Sequence, residues 1–262
     1  VDHRDVGRLW DENAEVWTEL SRLGCDIYRD YVNTPGFFTM LPDVAGLSGL
    51  DIGCGEGHNT RLLASAGARM TAVDISRRFI RFAAEMEQSA PAGIRYCAGS
   101  AVELPFADED FDFATGFMSF MDVPEHDRVV GEAYRVLRPG GFLQFSILHP
   151  CFATPRWRWL RDDAGRKTGL EVGDYFDGPN GRVEEWTFTA TPSGRRESVR
   201  KFRVPRFWRT LSGWLNLLID TGFAIERFEE PFADDATVAA QPHLEDTRIV
   251  AFFLIVRCRK PG

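Results

Sequence analysis

Three glycines at alternate positions, Gly53, Gly55 and Gly57, follow the run Leu50-Asp51-Ile52. Glycines so spaced let a chain turn sharply and bring its backbone against a ligand where a β-carbon would collide. The free amides of a helix expected from near Asn59-Thr60 would face the same space. The spacing is G-x-G-x-G and not the G-x-G-x-x-G of a dinucleotide loop, because position 58 is His. A second chemical residue, Asp74, lies 17 residues past the last glycine in Val73-Asp74-Ile75-Ser76. A carboxylate there can accept two hydroxyl hydrogen bonds, worth ~1.5–3 kcal/mol each when shielded. Its competing role, capping the next helix, is one that Ser76 already suits. His149, in Leu148-His149-Pro150-Cys151, is the best-placed general base in the chain; it equally fits a histidine that fixes the turn before Pro150. His58 is expected to position the loop, His126 and His243 to lie at the surface, and Glu103 and Asp122 to face solvent or caps.

Alternating strands and helices must position these residues. A helix is expected over 6–31, with Val6, Leu9, Trp10, Trp17 and Leu20 on one stripe. Thr34-Pro35-Gly36 should break the chain, ahead of a short turn over 37–41. Strands are expected at 47–52, 69–73, 95–97, 111–115, 142–147, 223–228 and 249–256. Helices should follow the glycines (59–66), Ser76, Pro124 and Trp208, with Arg138-Pro139-Gly140-Gly141 stopping the third. Such alternation implies an α/β fold, a doubly wound, mostly parallel seven-stranded sheet closed by right-handed crossovers.

The chain has 262 residues, 44% apolar and 27% charged, which suits one globular α/β domain with an insertion. The longest apolar run, 251–256, is too short to span a bilayer. No secretory leader is visible, and five scattered cysteines form no C-x-x-C pair, so a reduced, cytoplasmic, metal-free protein is expected. Cys54 fits the glycine loop as a small side chain. A net charge of −8 argues against tracking nucleic acid phosphates. The charge is uneven: residues 155–209 carry 13 Arg/Lys against 8 Asp/Glu.

Four segments in order resemble class I S-adenosylmethionine-dependent methyltransferases, of the small-molecule type similar to the ubiquinone and menaquinone group. They are Leu50-Asp51-Ile52-Gly53-Cys54-Gly55-Glu56-Gly57, the acid ending strand two, Gly99 to Phe106 with its Leu104-Pro105-Phe106, and Arg135 to Gly141. The resemblance covers about residues 45–150 well. It implies a Rossmann-like sheet and S-adenosyl-L-methionine as cofactor, with S-adenosyl-L-homocysteine as product. Gly53, Cys54, Gly55 and Gly57 would cradle its methionine and ribose parts, Asp74 would hold the ribose, and Ile75 would lie on the adenine. Asp51 would brace the loop. Related enzymes read Gly-Asp-Ala before the Leu-Pro; here Gly99-Ser100-Ala101 stands, so Ser100 and Ala101 would meet the adenine with a neutral hydroxyl. Phe117, after strand four, completes the expected contacts. Trp17 either offers an aromatic face to the sulfonium or belongs to its own helix's core.

The resemblance divides the chain into an N-terminal helical cap, 1–45, and a methyltransferase domain, 46–262, with a lid insertion at about 151–207. The insertion holds Trp157, Trp159, Trp186 and Phe188, and its Trp186–Ala190 stretch should turn back on Val199–Val204 as a hairpin. Its arginines, Arg200 and Arg203 among them, would suit an anionic acceptor group. Methyl transfer to an O or N nucleophile of a small, partly apolar molecule is the expected activity. The alternatives are a non-catalytic S-adenosylmethionine-binding protein and a nucleic-acid methyltransferase; the Asn/Asp-Pro-Pro-Tyr/Phe mark of the latter is absent from Gly116-Phe117-Met118-Ser119-Phe120. Beyond the acceptor, no nucleic acid or membrane partner is expected, and the protein should be a monomer or homodimer.

Overall fold

The computed structural model describes residues 2–178 and 180–262. Seven strands form one sheet: β1 (Ser48–Ile52), β2 (Arg69–Asp74), β3 (Arg95–Ala98), β4 (Phe111–Phe117), β5 (Leu137–Leu148), β10 (Ala224–Glu229) and β11 (Phe253–Arg259). Their order is β10-β11-β5-β4-β1-β2-β3. The first five run parallel, and β11 enters antiparallel to its neighbours β5 and β10. After β1 the chain moves to β2 on one side, whereas β4 lies on the other. Strand order therefore reverses at β1, and the crevice at the carboxyl ends of β1 and β4 is where ligands of such sheets bind. The apolar alternation of β1 leaves Leu50 and Ile52 fully buried against Phe145 and Ala114 in the main core.

Helices α3 (His58–Ser65), α4 (Arg77–Ser89), α5 (His126–Val136) and α7 (Leu211–Thr221) cover the sheet. Ser76 caps α4 as its sequence implies, its hydroxyl accepting the Phe79 amide at 3.2 Å. Two boundaries differ from expectation. α5 runs straight into β5 at Leu137, because the Arg138–Gly141 turn is a kink within that strand, with Gly140 at φ +78° and hydrogen-bonded to the Lys260 carbonyl. The last strand begins at Phe253 rather than 249, since a 3-10 segment, Pro242–Arg248, precedes it.

The N-terminal helix α1 (His3–Arg22) is capped by Asp2, whose carboxylate accepts the Arg4 and Asp5 amides at 2.9 Å. It stops nine residues before the expected end, at a turn through Gly24 (φ +74°). Thr34-Pro35-Gly36 does not break the chain. A π-helical turn, Arg29–Asn33, leads into α2 (Thr34–Met40), and Pro35 sits in its first turn, where a missing amide costs little. Gly36 is required there, since a β-carbon would fall 2.5 Å from Pro231.

The insertion after β5 is two hairpins, β6 (Arg156–Arg161) with β7 (Lys167–Gly173), and β8 (Asn180–Trp186) with β9 (Phe202–Phe207). The second matches the expected pairing but not its register: β8 ends at Trp186, where it was expected to start, and a short helix α6 (Ser193–Arg196) lies in the connection. β9 packs on α1. Asn13 binds both backbone groups of Arg203, donating to its carbonyl and accepting its amide at 2.9 Å each. Around this clamp Trp17 meets Phe188 and Phe202 with ring centroids 4.8 and 4.7 Å away, and Trp186 lies 5.6 Å away. A last short helix, α8 (Asp235–Ala240), precedes the 3-10 segment.

Phe202 is 1% exposed at the centre of this aromatic cluster. Phe202→Ala should remove about 3–5 kcal/mol of local stability. Hydrogen exchange should then show lost protection in α1, β8 and β9 with the central sheet unchanged. Equal loss throughout would mean that cap, hairpin and sheet unfold as one unit.

Candidate active site

The glycine loop is pinned to the end of β2. The amides of Gly53 and Cys54 both donate to the Val73 carbonyl, at 2.8 and 3.1 Å. All three glycines have positive φ, +76°, +56° and +87° in order, a region costly for other residues. Their surroundings differ. A β-carbon on Gly53 would fall 2.4 Å from Ser119 Cβ, and one on Gly57 would fall 2.5 Å from the Tyr96 hydroxyl. One on Gly55 would meet nothing within 4 Å. Gly55 faces open space, whereas Gly57 caps α3 and packs against Tyr96.

Asp74 ends β2 with 8% exposure. Its Oδ2 accepts the Gly55 amide at 2.8 Å, and its Oδ1 accepts the Ser76 amide at 2.8 Å. Each oxygen keeps a free lone pair. Burial raises its pKa to about 6, opposed by those two amides. Asp51 is also buried, and its oxygens accept the Thr60 and Thr115 hydroxyls at 2.5 and 2.9 Å, tying α3 and β4 to the loop. Burial raises its pKa to about 6.

These groups share a cavity of about 560 Å³, within the ~300–1,000 Å³ of small-molecule sites. Asp51, Gly53, Cys54, Gly55, Asp74 and Ile75 line one side; Ser100, Ala101, Phe117 and Trp17 also reach it. Two expected residues do not. Gly57 lies behind the loop. His149 is 3% exposed, and both ring nitrogens are engaged: Nδ1 accepts the Cys151 amide at 3.2 Å, leaving Nε2 to donate to Glu230 at 2.7 Å. It fixes the turn before Pro150, and Leu148 faces the cavity in its place.

The insertion closes the opposite wall with Trp157, Trp159, Trp186 and Phe188. Its expected anion-binding arginines point elsewhere: Arg200 and Arg203 pair with Glu12 of α1, at 2.7 and 3.3 Å, outside the cavity. Sequence reasoning instead missed Asp122 and Arg206. Asp122 is 5% exposed rather than solvent-facing, and Arg206 Nη1 reaches its Oδ1 at 3.5 Å. It also missed Asp246, buried at the far end, whose Oδ2 takes the Tyr28 hydroxyl at 2.8 Å and Lys167 Nζ at 2.5 Å. His126 is likewise buried, and its pKa falls to about 4 through burial and the nearby Arg209. The signal for Asp122 was its place just past β4, in the crevice; nothing local marks Asp246.

Comparison with known proteins agrees with this geometry. Residues 50–145 match the family model described as a methyltransferase domain. Over 86% of its length the chain superposes on 96% of a solved S-adenosylmethionine-dependent methyltransferase from Mesorhizobium loti, with a TM-score of 0.69 and 29% identity. Residues 50–145 carry a methyltransferase domain, and the fold is that of the S-adenosylmethionine-dependent methyltransferases. It is 34% identical to a malonyl-(acyl-carrier protein) O-methyltransferase of Pectobacterium atrosepticum over 48% of this chain and 49% of that protein. It is 33% identical to a fatty-acid O-methyltransferase of Mycolicibacterium smegmatis over 56% of this chain and 51% of that protein. The matches thus span about half the length of these curated relatives.

The family's cofactor is S-adenosylmethionine, and the residues present fit it. Gly55 offers the open approach a ligand needs, and Asp74 offers a buried carboxylate with unused acceptor capacity beside it. Asp74 binds hydroxyls best when ionised, and its pKa lies near 6. Affinity for S-adenosylhomocysteine should therefore be constant above pH 7 and fall as pH drops through 6. Calorimetry on Asp74→Asn should show binding about 10–100-fold weaker at pH 7.5, with most of the pH dependence gone. A full pH dependence in that variant would assign the titration to Asp51.

Proposed function

We propose that this chain transfers the methyl group of S-adenosylmethionine to an oxygen or nitrogen nucleophile of a small, partly apolar molecule. The observation that carries the reading is one continuous cavity, with Gly55 and Asp74 at one side and the insertion's aromatic wall at the other. Bound S-adenosylmethionine supplies an electrophilic methyl group whose thioether leaving group needs no proton. What the protein must add is alignment, exclusion of water and control of charge. Asp74 and the Gly53–Gly55 backbone would fix the donor, with Ser100 toward its adenine. Trp17, held by the aromatic cluster, would present a ring face to the sulfonium. Trp159, Trp186 and Phe188 would enclose the apolar body of the acceptor.

The relative named for fatty acids supports a partly apolar acceptor, whereas the one named for malonyl-(acyl-carrier protein) acts on a group borne by a carrier protein. A polynucleotide is disfavoured by the net charge of −8, and by the carboxylate partners held by the cavity's Arg206 and Lys167.

Turnover is tested by following S-adenosylhomocysteine formation with a panel of phenols, amines and carboxylic acids. At least one class should raise the rate well above the acceptor-free background. Trp186→Ala should then lower kcat/KM for that class about 10–100-fold, at unchanged S-adenosylhomocysteine affinity. Tight nucleoside binding with no turnover of any class would instead favour a non-catalytic binding protein.

A further inference from the structure

The carboxylates lining the cavity are not equivalent. Asp51 accepts two threonine hydroxyls, Asp74 accepts two backbone amides, and one oxygen of Asp246 is bound by Tyr28 and Lys167. Glu56 meets Ser21 and Arg29, and Asp26 accepts the Arg29 amide at 3.2 Å. Asp122, on the turn just past β4, is held most weakly of these. Among the described residues its carboxylate has one hydrogen-bond partner, Arg206 Nη1 at the long distance of 3.5 Å. A carboxylate has about four acceptor positions, so most of its capacity is not used by the protein.

Its position follows from the glycine loop. β4 is followed by Met118, a non-glycine residue at φ +54°, a conformation that costs about 1–3 kcal/mol and re-aims the chain. Ser119 then donates to the Ile52 carbonyl at 2.7 Å and fills the space a β-carbon on Gly53 would need. A 3-10 turn, Phe120–Asp122, follows. It delivers Asp122 three residues after the point of contact with the donor loop, while Phe120 anchors the turn by stacking on Phe145 at 5.1 Å.

The charges around Asp122 come from the insertion. Arg206 on β9 faces it, but gives its shorter bond, 3.0 Å, to Glu184 on β8. From α5, His126 is buried and neutral near pH 7, and Glu125 pairs with His3. β5 contributes Phe145 and Ile147, without charge. Burial therefore outweighs the attraction of Arg206, and Glu184 opposes it further, raising Asp122 to about 7. That lies where a general base works best near neutral pH.

We propose that Asp122 is the proton acceptor of the transfer and that the methyl acceptor is a weakly acidic hydroxyl, such as a phenol or enol, rather than a carboxylate. The inference rests on the methyl-transfer reading above. A carboxylate acceptor is already ionised and needs no base, whereas a hydroxyl must lose its proton. As the hydroxyl oxygen forms its bond to the methyl carbon, its proton passes to an Asp122 oxygen. The carbon–sulfur bond breaks with its electron pair left on sulfur, and Asp122 returns the proton to solvent after release.

The test follows S-adenosylhomocysteine formation by wild type, Asp122→Asn, Asp122→Glu and Arg206→Gln with paired phenols and aromatic carboxylic acids. Phenols should be methylated in preference. Asp122→Asn should lower kcat about 10²–10⁴-fold at unchanged S-adenosylhomocysteine affinity, and Asp122→Glu should recover part of it. The wild-type rate should rise with pH through an inflection near neutrality, and Arg206→Gln should move that inflection upward by removing the charge that favours the ionised form. Binding of 4-nitrophenol in the presence of S-adenosylhomocysteine gives a readout without turnover, and Asp122→Asn should weaken it several-fold. Preferred turnover of carboxylic acids, an undiminished kcat in Asp122→Asn, or equal nitrophenol binding by both proteins would overturn the assignment. If wild type failed to bind S-adenosylhomocysteine at all, the methyl-transfer reading itself would fall instead.

Discussion

The hydrogen bond from the Gly55 amide to Asp74 is the constraint on which the site depends. It joins the end of one parallel strand to the loop leaving its neighbour, and it exists only because β1 and β2 are adjacent and in register, Ile52 beside Val73. The left-handed glycines let the loop fold back far enough to make it. Burying a carboxylate is costly unless hydrogen bonds compensate, and two backbone amides do so here. What remains of its acceptor capacity faces the cavity, so the residue that organises the loop is also the one proposed to hold the donor.

A division of labour follows. Donor-side residues come from the strand ends and loops of the sheet, whose positions the whole core enforces. The residues proposed for the acceptor come from the 3-10 turn after β4 and the two inserted hairpins, and α1 brings Trp17 between the two sides. A smaller aromatic cluster and a few ion pairs join α1 to the second hairpin. Surface ion pairs such as Arg200 with Glu12 contribute little each. The packing of Trp17, Phe188 and Phe202 must therefore supply most of the attachment.

The donor side was legible in the sequence because its chemistry is local. Glycine spacing, an acid at a strand end and a serine cap are each readable within a few residues, and the structure brings Gly55, Asp74 and Ser76 together as those signals imply. The acceptor side was not, because its partners are far apart in the chain: Asp122 meets Arg206 across 84 residues, and Tyr28 meets Asp246 across 218. Charge counting over residues 155–209 pointed to Arg200 and Arg203, whereas Arg206 is the arginine of that segment that lines the cavity, since composition does not say which guanidinium faces inward. The sequence left His149 between a base and a histidine fixing the turn before Pro150, and the hydrogen bonds of its two nitrogens favour the second. The boundary errors at Pro35 and Arg138 share one cause. Proline and glycine were read as stops, whereas a π-turn and a strand kink absorbed them.

One asparagine has a consequence for solubility. By bonding both the amide and the carbonyl of Arg203, the Asn13 side chain imitates the next strand of a sheet. The inserted hairpin would otherwise present β9 as an open border, a template on which another polypeptide could add itself. The helix thus serves as a selvedge along that border, and the same carboxamide keeps β9, with its cavity-facing Arg206, in place beside Asp122.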